Sequence, residues 1–396
     1  MIIVQARLLH GSAYFAGEEV ECQLTFSNPP KPDGVLRLSS DIETLAWCTA
    51  QIHCQCTLSA PNLDGGPGVD GSTVDQHSPD STYFNPTRGE RGVTVMISQP
   101  RILFCNIKLA PGEKTVYDYK ERIPMDGVPP SFRGTFVKYS YKLTIGTQRP
   151  DSAISEIRLS FRVLTVDGLK EMSTYINKDE ELAPSNPFQL CEKGKETKPE
   201  HTVRDLALQL LSEQSGKRRH NCYNISNLHG KVAKIIMNKN SYKIGDDLYC
   251  TFDFSEATIQ CLQVTVTLQS VEEMANEQTE REKGSIVISH ANHLEICLHM
   301  SKANVALPIP LHITPSFKSD HVSLTWKLHI EFITLTTPIE PQCPPPQDTQ
   351  GTHWHGVTNL ETETIHWDLP ITVLSNNPLQ CGLLQSLRSE ETITLD

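Results

Sequence analysis

No apolar run in these 396 residues is long enough to cross a bilayer as a helix, which takes about 20 residues, so no spanning helix is expected. The opening residues, Met1-Ile2-Ile3-Val4-Gln5-Ala6-Arg7, lack the basic segment and cleavage site of a secretion signal and read as a first strand. A cytosolic protein is expected. Positive charge is in deficit: 35 Lys and Arg stand against 47 Asp and Glu, a net charge of −12. Nucleic acid is therefore not expected as a partner, because neutralising phosphates requires clustered Lys and Arg. Also missing are a Gly-x-Ser-x-Gly elbow, a phosphate-binding loop, a dinucleotide fingerprint and a His-Glu-x-x-His pair. No covalent catalysis and no cofactor is expected.

Cysteine is not scarce, but 12 residues without a secretion signal do not read as a disulfide framework. Cys22, Cys250, Cys261 and Cys297 fall at inward-pointing strand positions and suit small, reduced core residues. Cys48, His53, Cys54 and Cys56 invite a zinc reading, yet Cys54 and Cys56 share one face of a strand and no second pair has ligand spacing. His290 with His293, and His353 with His355, are equally weak pairs. No metal site is expected from any of them.

The chain does contain a repeat. Tyr14, Gly17, Glu18, Glu19, Val20, Cys22, Leu24 and Phe26 recur as Tyr242, Gly245, Asp246, Asp247, Leu248, Cys250, Phe252 and Phe254, with identical spacing. A turn of glycine and acids leads each time into strict alternation, the period of a half-buried strand. Farther on, Pro130-Ser131-Phe132-Arg133 leads into Val137, Tyr139, Tyr141, Leu143 and Ile145, and Pro315-Ser316-Phe317-Lys318 leads into Val322, Leu324, Trp326, Leu328 and Ile330. Val163-Leu164 and Val373-Leu374 follow in the same order. Two β-domains related by internal duplication are expected.

In chain order the reading is a first β-sandwich over 1–166, a linker over 167–229, a second sandwich over 230–376 and a polar tail over 377–396. The Pro-, Gly- and Ser-rich stretch 60–92 is expected to be a disordered loop, and 337–356 a proline-rich loop. Within the linker an amphipathic helix is expected over about 202–213, opened by Thr202 as cap. Its stripe of Val203, Leu206, Leu210 and Leu211 is the candidate partner-binding surface, docking on a partner subunit or in the groove between the domains. Lys217-Arg218-Arg219-His220 reads as a solvated helix end, or as a small contact for lipid headgroups.

The doubled Tyr-x-x-Gly-acid-acid strand and the doubled Pro-Ser-Phe turn resemble the arrestin fold: all-β, two tandem β-sandwiches and a linker with a short helix. Met1 to Phe26, Gly230 to Phe254 and Ile365 to Leu374 look, more narrowly, like the retrograde Golgi transport proteins of the Rgp type. That resemblance implies a non-catalytic subunit that forms a heterodimer with a large Ric-type subunit. Together they would act as a guanine-nucleotide exchange factor on a Golgi Rab GTPase, Rab-six, in endosome-to-Golgi traffic. It further implies preference for the GDP-bound or nucleotide-free GTPase, and a protein of the cytosol and the peripheral Golgi membrane. The alternative is an arrestin-type or retromer-like adaptor binding membrane cargo, against which the absence of Pro-Pro-x-Tyr motifs counts.

Overall fold

The computed structural model describes residues 1–30, 42–58, 83–174, 202–217, 221–275, 284–339, 359–383 and 389–395. Before the linker come β1 (Ile2–Leu8), β2 (Ala13–Phe15), β3 (Glu19–Ser27), β4 (Glu43–Leu58), β5 (Val93–Ile97), β6 (Arg101–Leu109), β7 (Lys114–Arg122), β8 (Phe132–Arg133), β9 (Val137–Gln148) and β10 (Ser155–Leu164). Helix α1 (Val203–Gly216) lies in the linker. After it come β11 (Asn221–Asn227), β12 (Gly230–Met237), β13 (Ser241–Lys243), β14 (Asp247–Asp253), β15 (Cys261–Met274), β16 (Ser285–Ile296), β17 (Lys302–Pro308), β18 (Phe317–Lys318), β19 (Val322–Leu335) and β20 (Thr362–Leu374). Helix α2 (Pro378–Leu383) and β21 (Glu390–Leu395) close the chain. The protein is all-β.

Each half pairs a smaller sheet with a larger one, and the two halves repeat the same strand order. The first half has β21-β1-β3-β7 and β2-β10-β9-β4-β5, with β6 added on β4 and β8 on β9. The second has β11-β12-β14-β17 and β13-β20-β19-β15-β16, with β18 added on β19. Alternation decides which face each strand buries: Ile2, Val4, Ala6 and Leu8 of β1 and Val20, Cys22, Leu24 and Phe26 of β3 all point inward. In the second half Val264, Val266 and Leu268 of β15 face Leu324, Trp326, Leu328 and Ile330 of β19. Fully burying each such side chain is worth roughly 1.5–3 kcal/mol.

The repeated motifs turn out to be one corner built twice. Tyr14 Oη donates to the Gly11 carbonyl at 2.9 Å, and Tyr242 Oη to the Lys239 carbonyl at 2.7 Å. Glu18 accepts from the Phe15 N–H at 2.8 Å and Asp246 from the Lys243 N–H at 3.1 Å. Gly17 and Gly245 sit between them at φ 91° and 86°, where only glycine is unstrained. Tyr14 pairs in parallel with Val163, and Tyr242 with Val373. Those same valines donate to Ser131 Oγ and Ser316 Oγ at 2.8 and 3.0 Å. All three sequence repeats therefore meet at one place in each half.

Three expectations are corrected. Residues 83–92, read as part of a disordered loop, pack on the outer face of β4 and β9, while 59–82 lie outside the described residues. Phe84 sits against Trp47 and over Gly146, where a Cβ would come 2.4 Å from its ring, and Glu90 is held by Lys142 and His53. The polar tail contains β21, which fills the sheet edge beside β1 through Ile393 opposite Val4 and Leu395 opposite Ile2. Its counterpart in the second half is β11, which lies in the stretch read as linker. Most of the proline-rich loop, 340–358, lies outside the described residues.

If the corner tyrosines act alike, Tyr14→Phe and Tyr242→Phe will each lower stability by about 0.5–1.5 kcal/mol, and the double variant by their sum. Denaturant unfolding measures all three.

Candidate partner-binding surface and the junction between the halves

Helix α1 begins with a reciprocal cap: Thr202 Oγ1 accepts from the Asp205 N–H, and Asp205 Oδ2 accepts from the Thr202 N–H, both at 3.2 Å. It rests on β2 of the first half and β13 of the second. Leu206 and Leu211 are buried, and Val203 and Leu210 pack half-buried against the same core. A Cβ at Gly17 would stand 3.2 Å from Val203, and one at Gly168 3.6 Å from Leu210. Arg204 Nε reaches Glu18 Oε1 at 2.6 Å, so a corner acid is also tied to the helix. Of the two destinations expected for this stripe, the structure brings all four residues together in the groove between the halves. Leu206 and Leu211 are buried there, while Val203 and Leu210 stay partly exposed. Residues 218–220 of the basic cluster lie outside the described residues.

The junction is held by two buried charges that cross it in opposite directions. Glu272 of β15, 1 % exposed, accepts from the backbone N–H groups of Thr135, Phe136 and Val137 at 2.7, 2.9 and 3.3 Å. Arg162 of β10, 3 % exposed, donates to the carbonyls of Ile313 and Leu311 at 2.6 and 3.4 Å. Burial pushes the Arg162 guanidinium below its ordinary value. Phe132 and Phe317, equivalent members of the repeated turn, meet edge to face with ring centroids 5.0 Å apart. Tyr139 Oη and Ser319 Oγ add a contact at 3.0 Å, and Ser375 Oγ donates to the Thr165 carbonyl at 2.7 Å.

Around these contacts lies a cavity of about 700 Å³. Arg133, Lys138 and Lys142 line it from the first half, and His290 and His312 from the second. His290 accounts for one residue of the first histidine pair: its ring packs on Trp326 at 4.8 Å and its Nε2 lies 2.8 Å from Ser270 Oγ. His293 lies apart from it, 3.2 Å from Glu295. His353 and His355 are outside the described residues.

The cysteine cluster is a core. Burial pushes the Cys54 thiol up to about 12 and the Cys48 thiol higher, so neither supplies a thiolate at neutral pH. His53, fully buried on the same strand, lies 3.1 Å from Glu90, whose other oxygen takes Lys142 Nζ at 2.5 Å. Burial alone would raise the Glu90 carboxyl, but hydrogen bonds from His53 and Lys142 outweigh it and hold it at about 2. One set among the described residues could hold a metal: His329, Glu331 and His366 on the outer face of β19 and β20.

The Rgp1 family model matches residues 76–167 and 167–335. The chain belongs to the Rgp1 family. Its relatives within that similarity include human RAB6A-GEF complex partner protein 2, 40% identical over 400 residues that span 100% of both chains. Bovine RAB6A-GEF complex partner protein 2 is 40% identical over 377 residues, 94% of this chain and 93% of its own. The matched stretches of this Rgp1-family chain contain the junction residues Arg162, Glu272 and Ile313.

Two outcomes follow from the buried charges. Glu272→Ala will cost about 3–5 kcal/mol, because three buried amides lose their acceptor, and will speed proteolysis of the linker. As for Glu90, its carboxyl is depressed in the folded state, so its contribution is present above about pH 4.5 and is lost as pH falls towards about 2. Glu90→Gln will therefore be less stable at neutral pH and will flatten the acid limb of a stability–pH profile below about 4.5.

Proposed function

We propose that this chain is the non-catalytic partner subunit of a heteromeric guanine-nucleotide exchange factor for a Golgi Rab GTPase of the Rab6 type. The observation that carries this is the end-to-end similarity to the human protein named as a RAB6A-GEF complex partner. Its companion is a large Ric-type subunit, and the complex engages the GDP-bound or nucleotide-free GTPase in endosome-to-Golgi retrograde transport. Exchange makes no bond. It requires only that the complex bind the nucleotide-free GTPase better than the loaded one, which shifts the population. No described helix is long and apolar enough to cross a membrane, and the proposed site of action is the cytosol and the peripheral Golgi surface.

A rigid block that presents a sheet edge serves such a complex. Strand β16 ends the order of its sheet and leaves Val287, Leu294 and Ile296 about half or more exposed. An edge with unpaired backbone groups and apolar side chains favours pairing with another chain. The large subunit is the occupant we assign to it.

Release of a fluorescent GDP analogue from Rab6 tests both statements. The isolated chain will leave the intrinsic rate unchanged, and the chain with the large subunit will raise it by about tenfold or more. Leu294→Lys with Ile296→Lys will cut capture of the large subunit by about tenfold or more while leaving the fold intact by circular dichroism. Acceleration by the isolated chain would contradict the non-catalytic reading, and undiminished capture would remove β16 from the interface.

A further inference from the structure

On the outer face of the second half, β19 and β20 place four chemistry-bearing side chains in a square. Glu331 pairs in register with His366, and His329 with Asp368. The two imidazoles stack with centroids 5.4 Å apart and ring planes 15° from parallel. His329 Nδ1 lies 2.6 Å from Asp368 Oδ1, and Lys327 Nζ holds the other oxygen of that carboxylate at 2.7 Å. An ionised carboxylate can only accept, so the proton belongs on Nδ1, and the Nε2 lone pair of the neutral ring points away from Asp368. It points at Glu331 Oε1, 3.3 Å away. Either a second ring proton or a metal cation must lie between Nε2 and that oxygen.

A proton on His329 would satisfy that pair and leave the third residue idle. Yet His366 Nδ1 also converges on Glu331 Oε1, at 3.7 Å, and the three ligand atoms all lie within 4.8 Å of one another. Ligands about 2.0–2.1 Å from a tetrahedral zinc ion stand about 3.3 Å apart. Two of the separations are close to that value, and the His366 side chain, 57% exposed, has room to close the third. The Asp368–His329 contact is the carboxylate–histidine arrangement that orients metal-ligating imidazoles.

We propose that His329 Nε2, a Glu331 oxygen and His366 Nδ1 form a site for a divalent cation of the zinc class, with the fourth position open to water. Two imidazoles and one carboxylate favour zinc over calcium or magnesium, which take oxygen ligands. Bound there, the ion clasps β19 to β20. In register it lies in one row with Thr265 of β15 and the exposed Leu294 of β16. The site does not depend on the exchange-factor reading.

Zinc ion titrated calorimetrically into chelator-stripped, reduced full-length protein at neutral pH tests the site. The wild type will bind one more equivalent than His366→Gln or Glu331→Gln, or bind it about tenfold or more tightly, with circular dichroism unchanged. Equal stoichiometry and affinity in all three would place the zinc elsewhere and overturn the proposal, as would an absence of binding, which leaves a proton-bridged pair. Cobalt(II) in the wild type gives a readout that needs no variant. Histidine-coordinated cobalt supports the site, and thiolate-to-cobalt charge transfer as the sole signal overturns it.

Discussion

A carboxylate taken out of water needs donors on every side, and among the described residues Glu272 finds its donors in the other half of the molecule. The amides of Thr135, Phe136 and Val137 converge on it because Gly134 lets the backbone approach: a Cβ there would stand 2.3 Å from Glu272 Oε1. Arg162 makes the reciprocal demand and meets it with carbonyls of the second half. Both charges lose their protein partners if the halves separate. The net energy of such buried charges is small against apolar packing, but the cost of breaking them is large, so they specify one arrangement of the two sandwiches more than they add stability.

Duplication supplied the parts for that arrangement, and later divergence made them complementary. The same corner stands in both halves, with a tyrosine hydroxyl on a carbonyl three residues back and an acid capping the next turn. In the second half the acid is Asp246 and pairs locally with Lys239. In the first it is Glu18, one methylene longer, and it reaches Arg204 on the linker helix. The phenylalanines of the two Pro-Ser-Phe turns meet edge to face at the junction. The last strand, β21, then returns to complete the first sheet, so the chain's two ends lie side by side.

Much of this was legible because it is periodic. Alternation located β1, β3, β9, β14, β19 and β20, and the repeated Tyr-Gly-acid motif marked the two corners before any contact was known. Short or polar strands were not legible: β21 has only Ile393 and Leu395 as inward apolar residues, and β11 only Ile225 buried. Their pairing comes from a distant partner strand. The linker stripe was visible, but a sequence cannot say whether an apolar face meets its own fold or another protein. Glu272 carried a signal that alternation could have exposed, since it occupies the inward register of Val264, Val266, Leu268 and Ser270. The histidine square was hidden because His329 with Glu331, and His366 with Asp368, are ordinary alternate positions until the two strands are placed in register.

The role proposed for this chain, presenting a surface to a partner, rests on the locked junction. Glu272 and Arg162, together with the Phe132–Phe317 and Tyr139–Ser319 contacts, fix the outward edge at β16 relative to the first half. Hydrogen–deuterium exchange at the Thr135 and Phe136 amides of the isolated chain reads this directly, because their acceptor is Glu272. The account predicts strong protection of both amides, as deep as that of neighbouring strand amides in β9. Exchange at the rate of an unstructured peptide would show that the halves part in solution, and would contradict it.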